Sequence, residues 1–144
     1  MIDFKTKQNN IIDFITNNYS NYLSEYNIKI PFITNEFIDF DRFKNDFICF
    51  VEFDSTTYPF TYNDDCSITE NNIINIYLAH RNNTPDNLNN LMLNSTSAFF
   101  KMFRGKGISN SINQKINRID FFKYIEGTTN ICCSKIVLEL SIEL

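Results

Sequence analysis

The sequence predicts an α+β fold: an antiparallel sheet of four to five strands with two main helices packed on one face, in the order α-β-β-(β)-α-β-β. Three observations carry that class. Apolar residues recur at helical spacing near the N-terminus and again after residue 84. In the last nine residues every second side chain is Ile or Leu, with Val137, Glu139, Ser141 and Glu143 between them. The extended segments between and after the helices are joined by short polar turns, which pair strands antiparallel. A chain of 144 residues without internal repeat or linker fits one domain, residues 1–144.

The first helix is read over residues 4–26. Phe4, Gln8, Ile11, Ile12, Ile15, Tyr19, Tyr22, Leu23 and Tyr26 form its apolar stripe, with Lys5, Lys7, Asn10, Asn17, Asn18 and Asn21 opposite. Asn27 can end it, and Pro31 prevents its continuation. Residues 31–46 mix aromatics with acids and read as a short helix or irregular crossover.

Phe47–Phe53 is rich in β-formers and reads as a strand, Asp54-Ser55-Thr56-Thr57 as a turn, Tyr58–Tyr62 as a short extended piece, and Asn63-Asp64-Asp65 as a second turn. The next strand runs over residues 66–80, with Ile74, Ile76 and Leu78 on one face and Asn75, Tyr77 and Ala79 on the other. Thr84-Pro85-Asp86 supplies a cap, a first-turn proline and a dipole-complementing acid for the second helix, which Gly105 stops. The stretch Arg104–Lys115 reads as a polar connection, and Asn117–Glu126 as a strand turned by Gly127-Thr128-Thr129-Asn130. In the final strand Ile136, Leu138, Leu140, Ile142 and Leu144 oppose Val137, Glu139, Ser141 and Glu143.

Composition removes several functions. The N-terminus lacks the basic stretch and apolar core of a signal peptide, and no apolar run approaches the roughly 20 residues that span a bilayer. The four cysteines, Cys49, Cys66, Cys132 and Cys133, form no CxxC pair and read as reduced structural thiols of a protein made in the cytoplasm. A net charge of -4 argues against a polyanion binder and against sequence-specific nucleic-acid recognition.

Chemistry has little to build on. A serine or cysteine nucleophile must use His80, the only histidine, as its base, and no GxSxG accompanies it; His80 reads as a surface or loop residue. One histidine and scattered cysteines make no zinc site, and no cofactor motif is present: Gly105-Lys106-Gly107 follows a helix instead of joining a strand to one. Asp39 with Asp41, and Asp64 with Asp65, are the carboxylate pairs that a hydrolase or hard-cation site would use, although neither has the spacing of a calcium loop.

The charge is unevenly spread. Residues 36–70 hold nine acids against Arg42 and Lys44, whereas Lys101–Arg118 holds Lys101, Arg104, Lys106, Lys115 and Arg118 with no acid. Opposite-sign regions on one small domain suit head-to-tail contact between identical copies, which closes into a ring when the rotation permits.

The element order resembles that of the small tail-terminator and tail-completion proteins of long-tailed bacteriophages, together with the related neck proteins. Four features carry the resemblance: the opening helix Phe4–Tyr26, the strand pair Phe47–Phe53 and Ile73–Ala79, the helix opened by Thr84-Pro85-Asp86, and the closing strand pair ending at Leu144. It is an order of elements, not a catalytic motif. It implies a non-enzymatic structural protein that forms a ring, commonly hexameric, caps the tail tube and joins it to the head. Its partners would be copies of itself, a tail-tube protein and a head-connector protein, in the bacterial cytoplasm during assembly and then in the virion tail or neck. By position, Arg104, Lys106 and Lys115 of the basic stretch and Asp64 and Asp65 of the acidic turn are the expected contacts. Two other classes stand beside it: a small protein-binding module, such as an immunity protein, that meets a basic partner with its acidic segment, and a carboxylate-dependent hydrolase.

Overall fold

A computed structural model describes residues 3–36, 44–58, 69–82 and 87–143. It is an α+β fold of two helices and one five-stranded sheet, with elements in the order α1 (Phe4–Leu23), β1 (Phe32–Thr34), β2 (Phe47–Thr57), β3 (Thr69–Asn82), α2 (Leu88–Gly105), β4 (Ser111–Glu126) and β5 (Thr129–Glu143). The strands lie side by side as β1-β2-β3-β5-β4.

Helix α1 opens with the Asp3 carboxylate accepting from the Thr6 backbone N–H at 2.7 Å, and a 3-10 turn over Ser24–Tyr26 follows it. Asn27 then adopts a left-handed φ of 56° and ends the helical path, as its side chain and position predict. Helix α2 begins one residue after Asn87 and its last residue is Gly105. The expected Thr84-Pro85-Asp86 start lies outside the described residues, as does the turn holding Asp64 and Asp65.

Alternation places the core. Cys49 and Val51 of β2, Ile74, Ile76 and Leu78 of β3, and Ile136, Leu138 and Leu140 of β5 point to one side of the sheet and meet Ile11, Phe14, Ile15, Tyr19 and Leu23 of α1 and Ala98, Phe99, Met102 and Phe103 of α2. Cross-strand neighbours from the other face, Ile48, Ala79, Ile131 and Cys133, form a second, smaller cluster with Tyr77. Cys132 and Cys133 thus face opposite sides, and Cys132 packs with Leu88 and Met92.

Five expectations are corrected. The sheet is mixed, because β1 pairs parallel with β2 through Phe32↔Ile48 to Thr34↔Phe50 in the region read as a helix or crossover. Pro31 presets an extended backbone before these β-formers, and the intervening residues 35–46 are the dozen or so that a parallel return needs. Asp54-Ser55-Thr56-Thr57 is strand, not turn: the ladder slips between Phe53 and Ser55 and then resumes, with Thr56 Oγ1 donating to Asn72 Oδ1 at 2.8 Å. Strand β4 begins at Ser111 inside the expected polar connection, since Gln114 staples the bend by donating to the Phe103 and Lys106 carbonyls and accepting from the Ile108 N–H. Lys7, read on the polar face of α1, is buried in an ion pair with Glu70. His80 is a buried strand residue, not a surface or loop one.

A two-residue turn joins β4 to β5, since Glu126 pairs with Thr129. Positive φ occurs at Gly127 (63°) and not at Thr128, the pattern of a type II′ turn with glycine first. A Cβ at Gly127 would meet nothing within 4 Å, so Gly127→Ala is expected to cost about 1 kcal/mol through the backbone alone. Urea denaturation checks this, and a neutral substitution would show that the turn relaxes.

Candidate interaction surface

The long β4 is an edge strand, paired on one side with β5 only. Such an edge carries alternate N–H and C=O groups with no strand to meet them. It is also where exposed apolar side chains concentrate. Of the eleven large hydrophobic residues exposed among the described residues, Ile112, Phe121, Phe122, Tyr124 and Ile125 lie on β4, and Ile125 is 70% exposed. Register places Phe122 opposite Cys133 and Tyr124 opposite Ile131, so this pair extends the smaller cluster outward on the face away from the helices. Phe121 and Ile125 lie on the other face, where Lys123, Ile125, Leu88 and Cys132 border a groove of about 370 Å³. The hairpin end therefore presents apolar surface on both faces.

Natural edges are blunted by charges and bulges. Strand β4 has both: Lys115, Arg118 and Lys123 along it, and register shifts between Ser111 and Asn113 and between Ile116 and Arg118. The bulges and two of the bases lie toward its start. The stretch Phe121–Ile125 pairs without interruption and keeps only Lys123 as a guard.

The expected contact residues divide. Arg104, in the last turn of α2, holds its guanidinium over the Phe100 ring at 5.6 Å and shares a cleft of about 400 Å³ with Lys115 and Ile116. Lys106 follows the helix after Gly105, exposed, with its carbonyl held by Gln114. Arg104, Lys106 and Lys115 are thus brought to one end of the β4 side, while Asp64 and Asp65 fall outside the described residues. Much of the basic stretch is already answered within the chain: Lys101 binds Glu25 and Tyr26, Lys115 binds Glu139 at 2.8 Å, and Arg118 binds Asp120 at 2.9 Å. The acidic stretch loses Glu70 to Lys7 and engages Asp46 with Arg81. Sheet order nevertheless sends the two stretches to opposite sides, with Asp46, Glu52 and Asp54 beside β1–β2 and the bases beside β4.

The second place with chemical content is the end of β3. The His80 ring is 2% exposed and stacks on Phe47 at 3.9 Å, and its Nε2 lies 2.8 Å from Ser95 Oγ. Ser95 Oγ also lies 3.1 Å from the Met92 carbonyl, and the Ser95 carbonyl accepts from Tyr19 Oη at 2.7 Å. A serine hydroxyl has one hydrogen. Donating it to Met92 leaves Ser95 to accept from His80, so both bonds are made when the imidazole carries its proton on Nε2. That is the reverse of an activated serine, whose hydroxyl donates to the histidine. Burial holds His80 neutral, with its pKa lowered to about 4.

The thiols are equally unsuited to attack. Cys49, Cys132 and Cys133 are free and buried, and desolvation pushes Cys133 up to about 12 and Cys49 higher still. Among the described residues no group of three or more His, Cys, Asp or Glu side chains converges as a metal ion would require, and no helix is long and apolar enough to cross a membrane. The carboxylates Asp39 and Asp41 lie outside the described residues. No family model matches this chain, and no curated protein is similar to it.

Sequence reasoning missed the edge character of β4. Phe121-Phe122-Lys123-Tyr124-Ile125 is a plain β-forming run, but its lack of two-residue alternation is the signal of a strand whose two faces are both uncovered.

Proposed function

We propose that this chain is a non-enzymatic structural subunit of a phage or prophage-like particle, assembling through β4 into a ring that caps the tail tube and joins it to the head. The exposed edge strand, apolar on both faces at Phe121–Ile125, is the observation that carries the self-assembly part of this reading. The particle itself rests on the fold-level resemblance, which the α+β order of two helices and five strands supports. Opposite-sign sides of one sheet favour a heterologous contact, β4 of one copy against the β1–β2 side of the next, and such contacts close into rings. Assembly would take place in the host cytoplasm and end in the virion tail or neck, with tail-tube and head-connector proteins as the other partners.

Electron microscopy of the concentrated protein tests this: annular particles are expected, and a field of single chains or two-fold dimers contradicts it. A monomer that captures one basic protein would fit the acidic binding module instead. Because Arg104 and Lys106 have no acidic partner among the described residues, reversing both to Glu is expected to weaken assembly at low salt and to matter less as salt screens the contact. Sedimentation across a salt series reads the effect, and unchanged assembly at every salt removes these two residues from the contact.

A further inference from the structure

An open cleft of about 670 Å³ lies at the His80 end of the sheet, between the connector after α1, the residues leading into β2, and Leu91 of α2. Its size is that of pockets for organic ligands, well beyond what a bare oxyanion fills. His80 lines it. With Nε2 committed to Ser95, the imidazole has one polar atom left, the Nδ1 lone pair. No buried side-chain nitrogen or oxygen among the described residues lacks a partner, and Nδ1 has none, so the small exposed part of this ring includes Nδ1 and opens to the cleft. A neutral lone pair there accepts a hydrogen bond and offers none.

Charge supplies the second requirement. Lys29 and Lys44 line the same cleft, both are exposed, and neither has an acidic partner among the described residues. Asp46 also lines it, with its carboxylate directed to Arg81 at 3.2 Å. Two unanswered ammonium groups on a chain of net charge -4 mark a local anion site, and compact ammonium charges suit phosphate. Ile28, Ile30 and Leu91 make part of the remaining wall apolar, beside the polar Asn27, Asn45 and Arg81.

We propose that this cleft binds a phosphate monoester of the nucleotide class: the phosphate on Lys29 and Lys44, a base or sugar N–H or O–H on His80 Nδ1, and the face of the base against Ile28, Ile30 and Leu91. A bare oxyanion brings no donor for Nδ1, and a simple apolar molecule leaves the lysines unanswered. The cleft lies on the β1–β2 side, the side proposed to meet β4 of the next copy, so binding is read at concentrations where sedimentation gives the single-chain mass.

Because His80 is the only histidine, its ring nitrogens give unambiguous signals in nitrogen-15 spectra. Adenosine monophosphate titrated into the intact protein is expected to move the Nδ1 resonance saturably, at roughly millimolar concentration or below. The double variant Lys29→Glu/Lys44→Glu, altered only at exposed positions, is expected to lose at least about tenfold in affinity while its spectrum stays that of the folded protein. Three results would overturn the proposal: an unmoved His80 signal at several-millimolar nucleotide, an unaltered affinity in the double variant, or inorganic phosphate binding as well as the nucleotide.

Discussion

Glu70→Ala is expected to destabilise the fold by about 3–5 kcal/mol, the largest effect of any single charged residue described here. Glu70 and Lys7 are both buried, and the ammonium meets the carboxylate in a direct hydrogen-bonded ion pair that ties the first turns of α1 to the start of β3. Asn72 Nδ2 donates to the same carboxylate oxygen at 3.3 Å, and the Lys7 ammonium lies 4.5 Å from the Phe4 ring centre. Removing the carboxylate leaves an ammonium with a ring face for company and no water, which is the costly case. Replacing both partners by apolar side chains, Lys7→Met with Glu70→Leu, removes two desolvated charges together and is expected to recover most of the loss. Urea unfolding of the two single variants and the double variant decides it. Additive losses would show that the pair is not coupled.

The pH dependence of stability carries the second large effect. Burial lowers the pKa of His80 from 6.5 to about 4 in the fold, so the unfolded chain binds its proton more readily than the native one. The sign follows: the contribution of this group is fully present above the unfolded pKa, declines as pH falls from about 6.5 toward 4, and is constant below that. The gap is worth roughly 3 kcal/mol across the window. His80→Gln keeps a side-chain donor for Ser95 and removes the titration. The difference in unfolding free energy between the two proteins is expected to change by that amount between pH 7 and pH 4. A difference that stays constant with pH would mean that the imidazole is not held neutral by burial. Protonation would act at a joint: Ser95 sits on α2, Tyr19 on α1 and His80 on β3, so acid is expected to loosen the packing of both helices on the sheet.

How much of this could be read from the residues depended on period. Ile74, Ile76 and Leu78, and then Ile136, Leu138 and Leu140, alternate because one face of each strand is packed under the helices, and α1 repeats at helical spacing for the same reason. Segments without a one-sided burial pattern were opaque. Strand β1 is three residues long, too short for any period. The end of β2 is written in turn-forming residues, yet the sheet holds it because Asn71, Asn72 and Ile73 opposite complete the ladder. The start of β4 is polar and bulged, and its continuation is apolar on both sides, so neither half shows the two-residue rhythm.

Long-range pairs were hidden in another way. Lys7 meets Glu70 across 63 positions and His80 meets Ser95 across 15, and nothing in a local window marks either partner. Of the expected contact surface, the bases Arg104, Lys106 and Lys115 were legible as a charge run, whereas their partial neutralisation by Glu139 and the aromatic edge beside them belong to the tertiary structure.

Whether copies of this chain meet through β4, as proposed, is decided by the molar mass in solution. Sedimentation equilibrium of the unaltered protein at high concentration is expected to give an integral multiple of the single-chain mass. Phe122→Lys/Ile125→Lys, which puts two charges on side chains already exposed at the edge, is expected to return the single-chain mass with little change in melting temperature. An unaltered protein that stays a single chain at every concentration, or a double variant that assembles as well as the parent, would overturn assembly through β4.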